Sequence, residues 1–230
     1  MQKFSTKPIL CYVTDRASLP RSPQNDPFSP LLSKIAAAVA AGTDWIQIRE
    51  KDLPASSLAQ LLRSTLALTV LPEPAAPSGT TELRTRRILI NDRFDVALAG
   101  TADGIHLGKN SLPVSEAKRL LHNFQKPSPG FLVGASCHSL VSAQAAETDG
   151  ADYLFFGPVF ATPSKAAFGE PQGLQRLREV CRAVKIPVLA IGGITEQNST
   201  QCLDSGASGI AAIRLFQESS PPEELLRKLR

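Results

Sequence analysis

Eight short, almost continuously apolar runs, separated by longer amphipathic stretches, constrain this chain more than any other feature. The runs are Ile9–Asp15, Trp45–Arg49, Arg87–Asp92, Gly104–Leu107, Phe131–Ser136, Tyr153–Gly157, Pro187–Ile191 and Gly209–Ile213. A strand covered on both faces has no solvent side to keep polar, so it reads as an unbroken apolar run rather than an alternation. The stretches between them carry the helical period. Leu31–Ala41 has an Ala-rich face, and Leu174–Val184 interleaves leucines with charges. Helix starts are signalled at Pro54, Pro113 and Thr195, and helix stops at Gly42, Gly150 and Gly206.

Regular alternation of strand and helix demands a parallel α/β sheet, and eight repeats favour closure into a single (β/α)8 TIM barrel. The competing open, doubly wound sheet would carry a Gly-rich phosphate loop after its first strand, where Thr14-Asp15-Arg16 stands instead. At 230 residues the chain has the length of one such barrel, so the expected organisation is a single barrel domain over 1–230. Loop insertions are expected at 17–27 and 72–84. The first follows strand one on the catalytic face and is placed to act as a lid, whereas the second lies on the opposite face.

Composition narrows the partners. Hydrophobic residues make up 43% of the chain, which excludes disorder, and 25 Lys plus Arg against 21 Asp plus Glu leave a net charge of only +4. The basic residues are scattered and form no recognition-helix or zinc-finger pattern, so no nucleic-acid partner is expected. Cys11, Cys137, Cys181 and Cys202 are far apart, without metal-ligand or disulfide-framework spacing, and read as buried thiols of a reducing compartment. With no signal-peptide core and no apolar run near the roughly 20 residues that span a bilayer, the expectation is a cytoplasmic protein with no membrane partner.

In a barrel of this type, polar side chains at the C-terminal strand ends face the active site. Strand two ends in Gln47, Arg49 and Lys51, which a period of two places on one side if the extended conformation persists. Two adjacent cations repel, and an anion stabilises the pair; the alternative is a frayed strand end with ordinary surface charge. Strand three ends in Asn91 and Asp92. Asp92 reads either as a magnesium ligand beside a phosphate site or as the cap of a helix starting near Phe94. His106, on strand four, reads as a structural histidine with hydrogen-bonded nitrogens. After strand five, His138 either exchanges protons or stabilises the loop, and Ser136 or Ser139 is a candidate helix cap.

Thr162, Ser164 and Lys165 crowd the loop after strand six as an oxyanion cradle, or form a plain Pro-containing turn. Gly192 and Gly193 end strand seven just before a helix, where backbone N–H groups can meet a phosphate. Arg214, at the end of strand eight, can add a charged clamp. Loops after strands seven and eight are the common phosphate site of this fold.

These residues carry a family resemblance. Gln47-Ile48-Arg49-Glu50-Lys51-Asp52, Ile90-Asn91-Asp92-Arg93, Ala102-Asp103-Gly104-Ile105-His106-Leu107, Gly157-Pro158-Val159-Phe160, Thr162-Pro163-Ser164-Lys165 and Ile191-Gly192-Gly193-Ile194 resemble the thiamine phosphate synthase and TenI family, from strand one to strand eight. The resemblance implies joining of hydroxymethylpyrimidine diphosphate to a thiazole phosphate with release of pyrophosphate. It implies that Gln47, Arg49, Lys51 and Asn91 hold the pyrimidine diphosphate, with Asp92 on Mg2+, and that Ser136 and Lys165 face the pyrophosphate. Thr162, Ser164, Gly192 and Gly193 would bind the thiazole phosphate.

Three departures stand out. Where the synthase pattern has Gln, any residue, then a metal-binding Asp, this chain has Lys109-Asn110-Ser111; Arg214 replaces a usual Ser; and Ala166 replaces a second Lys. They keep two other outcomes in view. One is a TenI-like thiazole tautomerase, an isomerase, with His138 moving a proton. The other is a non-catalytic phosphate-ligand sensor on the same barrel.

Overall fold

The computed structural model describes residues 7–20, 26–69, 86–123, 130–162, 170–218 and 227–228. Eight parallel strands close into one barrel in sequence order: β1 Ile9–Val13, β2 Trp45–Ile48, β3 Arg87–Asn91, β4 Gly104–Leu107, β5 Leu132–Cys137, β6 Tyr153–Phe156, β7 Val188–Ile191 and β8 Gly209–Ala212. The helices are α1 Ser29–Ala40, α2 Ala55–Thr69, α3 Phe94–Ala99, α4 Val114–Asn123, α5 Leu140–Thr148, α6 Gly173–Ala183, α7 Glu196–Asp204 and α8 Arg214–Glu218. All eight expected strands form. Five of them, β1, β2, β3, β6 and β8, stop one or two residues earlier at the C-terminal end than the apolar runs suggested. Strands β5 and β7 start one residue later, and β5 runs one residue further, to Cys137. In the first expected insertion, Arg16–Ser18 forms a short 3-10 turn and residues 21–25 lie outside the described residues. The second expected insertion, 72–84, lies outside them entirely.

Two cores explain the continuous apolar runs. Outward residues such as Leu10, Tyr12, Ile46, Ile48, Ile88, Ile90, Leu154 and Phe156 pack under the helices. Their inward neighbours Cys11, Val13, Trp45, Leu89, Tyr153, Phe155, Leu189 and Ala211 fill the barrel itself. Alternation is present, but both sides are apolar, so no polar phase shows in the sequence. The inward layer is shaped by volume. A Cβ at Gly134 would lie 2.0 Å from the Tyr153 ring, so the glycine makes room for that ring to cross the barrel towards Trp45, at 4.8 Å between centroids.

Beneath the barrel, a carboxylate precedes β2, β4 and β6 and closes the start of the strand before each. Asp44 accepts the Leu10 amide at 2.9 Å, Asp103 that of Ile88 at 2.8 Å, and Asp152 that of Val133 at 2.7 Å. Asp152 also pairs with Lys118 at 2.7 Å, and Asp103 faces Arg87 at 3.8 Å. Buried residues at the strand starts thereby have their amides satisfied.

Candidate active site

Inward parity brings Gln47, Asn91, His106 and Ser136 to the C-terminal mouth of the barrel, one from each of β2 to β5. Their hydrogen-bond directions follow from one charge. Asp92, as a carboxylate, only accepts, so the Asn91 amide nitrogen must be the donor at 2.7 Å to Asp92 Oδ2. That fixes Asn91 Oδ1 as acceptor of the Gln47 Nε2 bond at 3.0 Å. Gln47 Oε1 is then left as a buried acceptor without a partner. An orphaned buried acceptor costs about 1–3 kcal/mol, and a ligand donor at that point would remove the cost.

Asp92 itself sits at φ 60°, in a tight turn closed by the Arg93 amide donating to the Asn91 carbonyl at 2.7 Å. Such a left-handed residue is uncommon and strained, which is the kind of geometry functional sites retain. The turn aims the Asp92 carboxylate away from α3. Arg93 occupies the cap position and makes no side-chain cap bond, so the helix-cap reading of Asp92 does not hold. Oδ1 instead accepts the Gly108 amide at 3.2 Å and the hydroxyl of Ser111.

Magnesium was expected on Asp92. The donor set does not fit a resident two-carboxylate centre: Ser111 stands where the second carboxylate would be, and both Asp92 oxygens already accept protein hydrogen bonds. Among the described residues no group of three or more His, Cys, Asp or Glu side chains is placed to hold a metal ion.

His106 is buried between Tyr153 OH, 3.2 Å from Nδ1, and Ser136 Oγ, 2.8 Å from Nε2, with its ring centroid 4.1 Å from that of Phe155. Burial pushes its pKa down to about 3, with Asp92 raising it and Arg49 lowering it. A neutral, structural imidazole results, as the sequence reading held, and it fixes the position of the Ser136 oxygen. Ser136 is therefore not a helix cap. Ser139 is, accepting the Ser142 amide at 3.1 Å at the start of α5.

His138 is exposed, and its Nδ1 contacts the Gly157 carbonyl oxygen. A carbonyl only accepts, so Nδ1 carries the proton in that contact, and Nε2 of the neutral ring is left as acceptor. His138 thus tethers the loop after β6 while its other nitrogen stays available. Together with Lys109, Ser136, Ser139 and Ser142 it lines an open cleft of about 370 Å³.

The cations divide into paired and unpaired sets. Arg16, Arg87, Arg93, Lys118 and Arg119 each pair with a carboxylate. Arg49, Lys51 and Lys109, at the mouth, pair with none among the described residues, and neither do Lys34, Arg63, Arg178, Arg182 and Lys185 away from it. One correction applies here. Extended parity ends at Ile48, and Lys51 lies in an exposed turn beyond the strand, so it does not continue the inward row of Gln47.

Across the mouth, Arg214 Nη2 reaches Thr162 Oγ1 at 3.4 Å, joining the loops after β8 and β6. Gly192 and Gly193 take φ 95° and 65°. Their shape is demanded by packing: a Cβ on Gly192 would meet Pro158 at 2.5 Å, and one on Gly193 the Ala161 carbonyl oxygen at 2.6 Å. Ser164 and Lys165 lie outside the described residues.

Sequence reasoning missed the brace behind this wall. Buried Glu50 accepts the Thr14 hydroxyl at 2.6 Å and the Arg16 amide at 3.1 Å, while Thr14 Oγ1 accepts the Arg49 amide at 2.9 Å. Burial raises the Glu50 pKa against those bonds. The available signal was a charged residue at the outward parity of Ile46 and Ile48.

Fold and mouth define the class: a (β/α)8-barrel protein whose strand ends present cations without a carboxylate partner among the described residues and an open amide oxygen. Residues 19–216 match the thiamine monophosphate synthase family, and the chain belongs to it. It is 39% identical over 201 residues to thiamine-phosphate synthase of Moorella thermoacetica, covering 87% of each chain. It is 42% identical over 199 residues to thiamine-phosphate synthase of Methanoculleus marisnigri, covering 86% of this chain and 85% of that one. The solved thiamine phosphate pyrophosphorylase of Pyrococcus furiosus superposes with a TM-score of 0.75 at 32% identity, over 96% of this chain and 95% of the other.

Proposed function

We propose that this chain is a thiamine phosphate synthase: a transferase of thiamine biosynthesis that joins hydroxymethylpyrimidine diphosphate to a thiazole phosphate and releases pyrophosphate. The observation that carries the reading is the buried, unpartnered Gln47 Oε1 beside cations that no described carboxylate neutralises. An aminopyrimidine offers the missing donor, and its diphosphate offers the missing charge.

In the reaction, the bond from the pyrimidine methylene carbon to the diphosphate oxygen breaks, and its electron pair leaves with pyrophosphate. The thiazole nitrogen then donates its pair to form the new carbon–nitrogen bond. The protein's tasks are to hold the two reactants in line and to stabilise the leaving charge. Gln47 and Asn91 orient the pyrimidine. Arg49 and Lys51 meet the diphosphate, with Ser136 and Lys165 beside the departing pyrophosphate. Thr162, Ser164, Gly192, Gly193 and Arg214 take the thiazole phosphate at the loops after β6, β7 and β8. Asp92 holds Asn91 and the loop after β4.

The tautomerase reading rests on His138 alone, whose Nε2 is available, but it gives no use to the Gln47–Asn91–Asp92 chain. A purified-protein assay with both substrates tests the proposal through thiamine phosphate and pyrophosphate formed in equal amounts. Turnover of the thiazole alone would make the chain an isomerase, and ligand binding with no turnover would make it a sensor. No helix among the described residues is long and apolar enough to cross a membrane.

A further inference from the structure

The cleft between the loops after β4 and β5 carries a charge arrangement that the family pattern does not predict. Ser111 occupies the expected second-carboxylate position, and its hydroxyl is turned onto Asp92. Two residues earlier, Lys109 stands where that pattern has Gln, and it shares the cleft with Ser136. The two replacements together make the cleft more positive by two charges, which is the charge of one Mg2+. Lys109 has no ion-pair partner among the described residues, so its charge is not spent on the protein. Ser136 cannot swing away, because His106 Nε2 holds its oxygen at 2.8 Å and His106 is itself held by Tyr153.

We propose that this cleft is a metal-sparing diphosphate subsite. The Lys109 ammonium supplies the counter-charge that a second carboxylate-held magnesium would otherwise bring, and the Ser136 hydroxyl fixes the anion beside it. An ammonium is a compact point charge with three donors, suited to a terminal phosphoryl group whose oxygens rotate. Asp92, engaged by Asn91, Gly108 and Ser111, then serves to position the wall instead of gripping a cation. The subsite rests on the synthase reading in one respect, namely that the anion is a diphosphate.

Calorimetric titration of the full chain with inorganic pyrophosphate tests it, in excess magnesium and in a chelator. The wild-type protein is expected to bind within about threefold equally in both. Lys109→Gln should weaken chelator-condition binding at least tenfold with its melting temperature unchanged, since Lys109 is exposed. The double variant Lys109→Gln/Ser111→Asp should bind only when magnesium is present. Loss of wild-type binding in chelator, or a Lys109→Gln variant that binds like wild type, would overturn the subsite. The coupling assay keeps the two readings apart. Coupling with magnesium-dependent pyrophosphate binding sinks the subsite alone, and magnesium-free binding without coupling sinks the synthase alone.

Discussion

The two ends of the barrel use the same residue types in opposite ways. At the N-terminal end, Asp44, Asp103 and Asp152 each close the amide that opens a neighbouring strand, and Asp103 and Asp152 also meet a cation. These three carboxylates are matched within the protein, and the buried hydroxyl left open beside them is that of Thr43. At the C-terminal end, one buried amide oxygen has no partner, one aspartate is held at positive φ, and three cations face no described carboxylate. Parallel strands produce both ends by the same geometry, so the asymmetry belongs to the side chains. A satisfied end holds the fold together, and an unsatisfied end waits for a ligand.

The sharpest way to break this comparison is to remove a mouth cation. Arg49→Ala is expected to lower kcat/KM for coupling by about 10²–10³-fold, as loss of one preorganised donor to developing negative charge does. Steady-state kinetics read it, and an unchanged kcat/KM would remove Arg49 from the site. Gln47→Leu sharpens the contrast further. Leu at this position removes the orphaned Oε1 together with the Nε2 donor to Asn91 Oδ1, whose half-buried site water can reach, so the melting temperature should stay nearly unchanged. Coupling should nevertheless fall about 10²-fold. A Gln47→Leu protein that melts lower would show that the amide serves the fold.

At the other end the signs reverse. Asp152→Ala strips a partner from the Val133 amide and from Lys118, and is expected to cost about 1–3 kcal/mol in denaturant unfolding. Its KM values should not move.

A smaller effect is expected from pH. His106 is held neutral in the folded state, with its pKa down to about 3, whereas the unfolded chain titrates it near 6.5. The unfolded state therefore binds the extra proton first, so its contribution to stability is full above pH 6.5. It is lost as pH falls below that value, by at most about 1.4 kcal/mol per pH unit. Melting at pH 7 and pH 5 should show the slope in wild type and a shallower one in His106→Gln. The smallest effect is expected from Arg119→Ala, which removes an exposed pair with Glu116 and should change stability by no more than about 0.5 kcal/mol.

Much of this was legible before the structure. Strand positions, the barrel and the mouth residues Gln47, Asn91, Ser136, Gly192 and Gly193 follow from apolar runs and from which end of a strand a polar residue occupies. Lys51 was not legible in the same way, because periodicity cannot say where β2 stops. Asp92 kept two readings open because a helix cap and a ligand use the same residue type after a strand. The structure sets the cap reading aside, since Arg93 takes the cap position, and it engages both Asp92 oxygens with protein donors. Glu50 was passed over since its partners Thr14 and Arg16 are 36 and 34 residues away.

The sequence by itself determined the architecture and the family, since hydrophobic period and strand-end chemistry are local properties that survive without coordinates. Only the tertiary structure decided which groups satisfy one another. It joined Ser111 to Asp92, His106 to Ser136 and Tyr153, and Arg214 to Thr162, and it left Gln47 Oε1 open. Hydrogen bonds of that kind depend on a few tenths of an ångström between segments far apart in the chain, and closure of the barrel alone sets those distances.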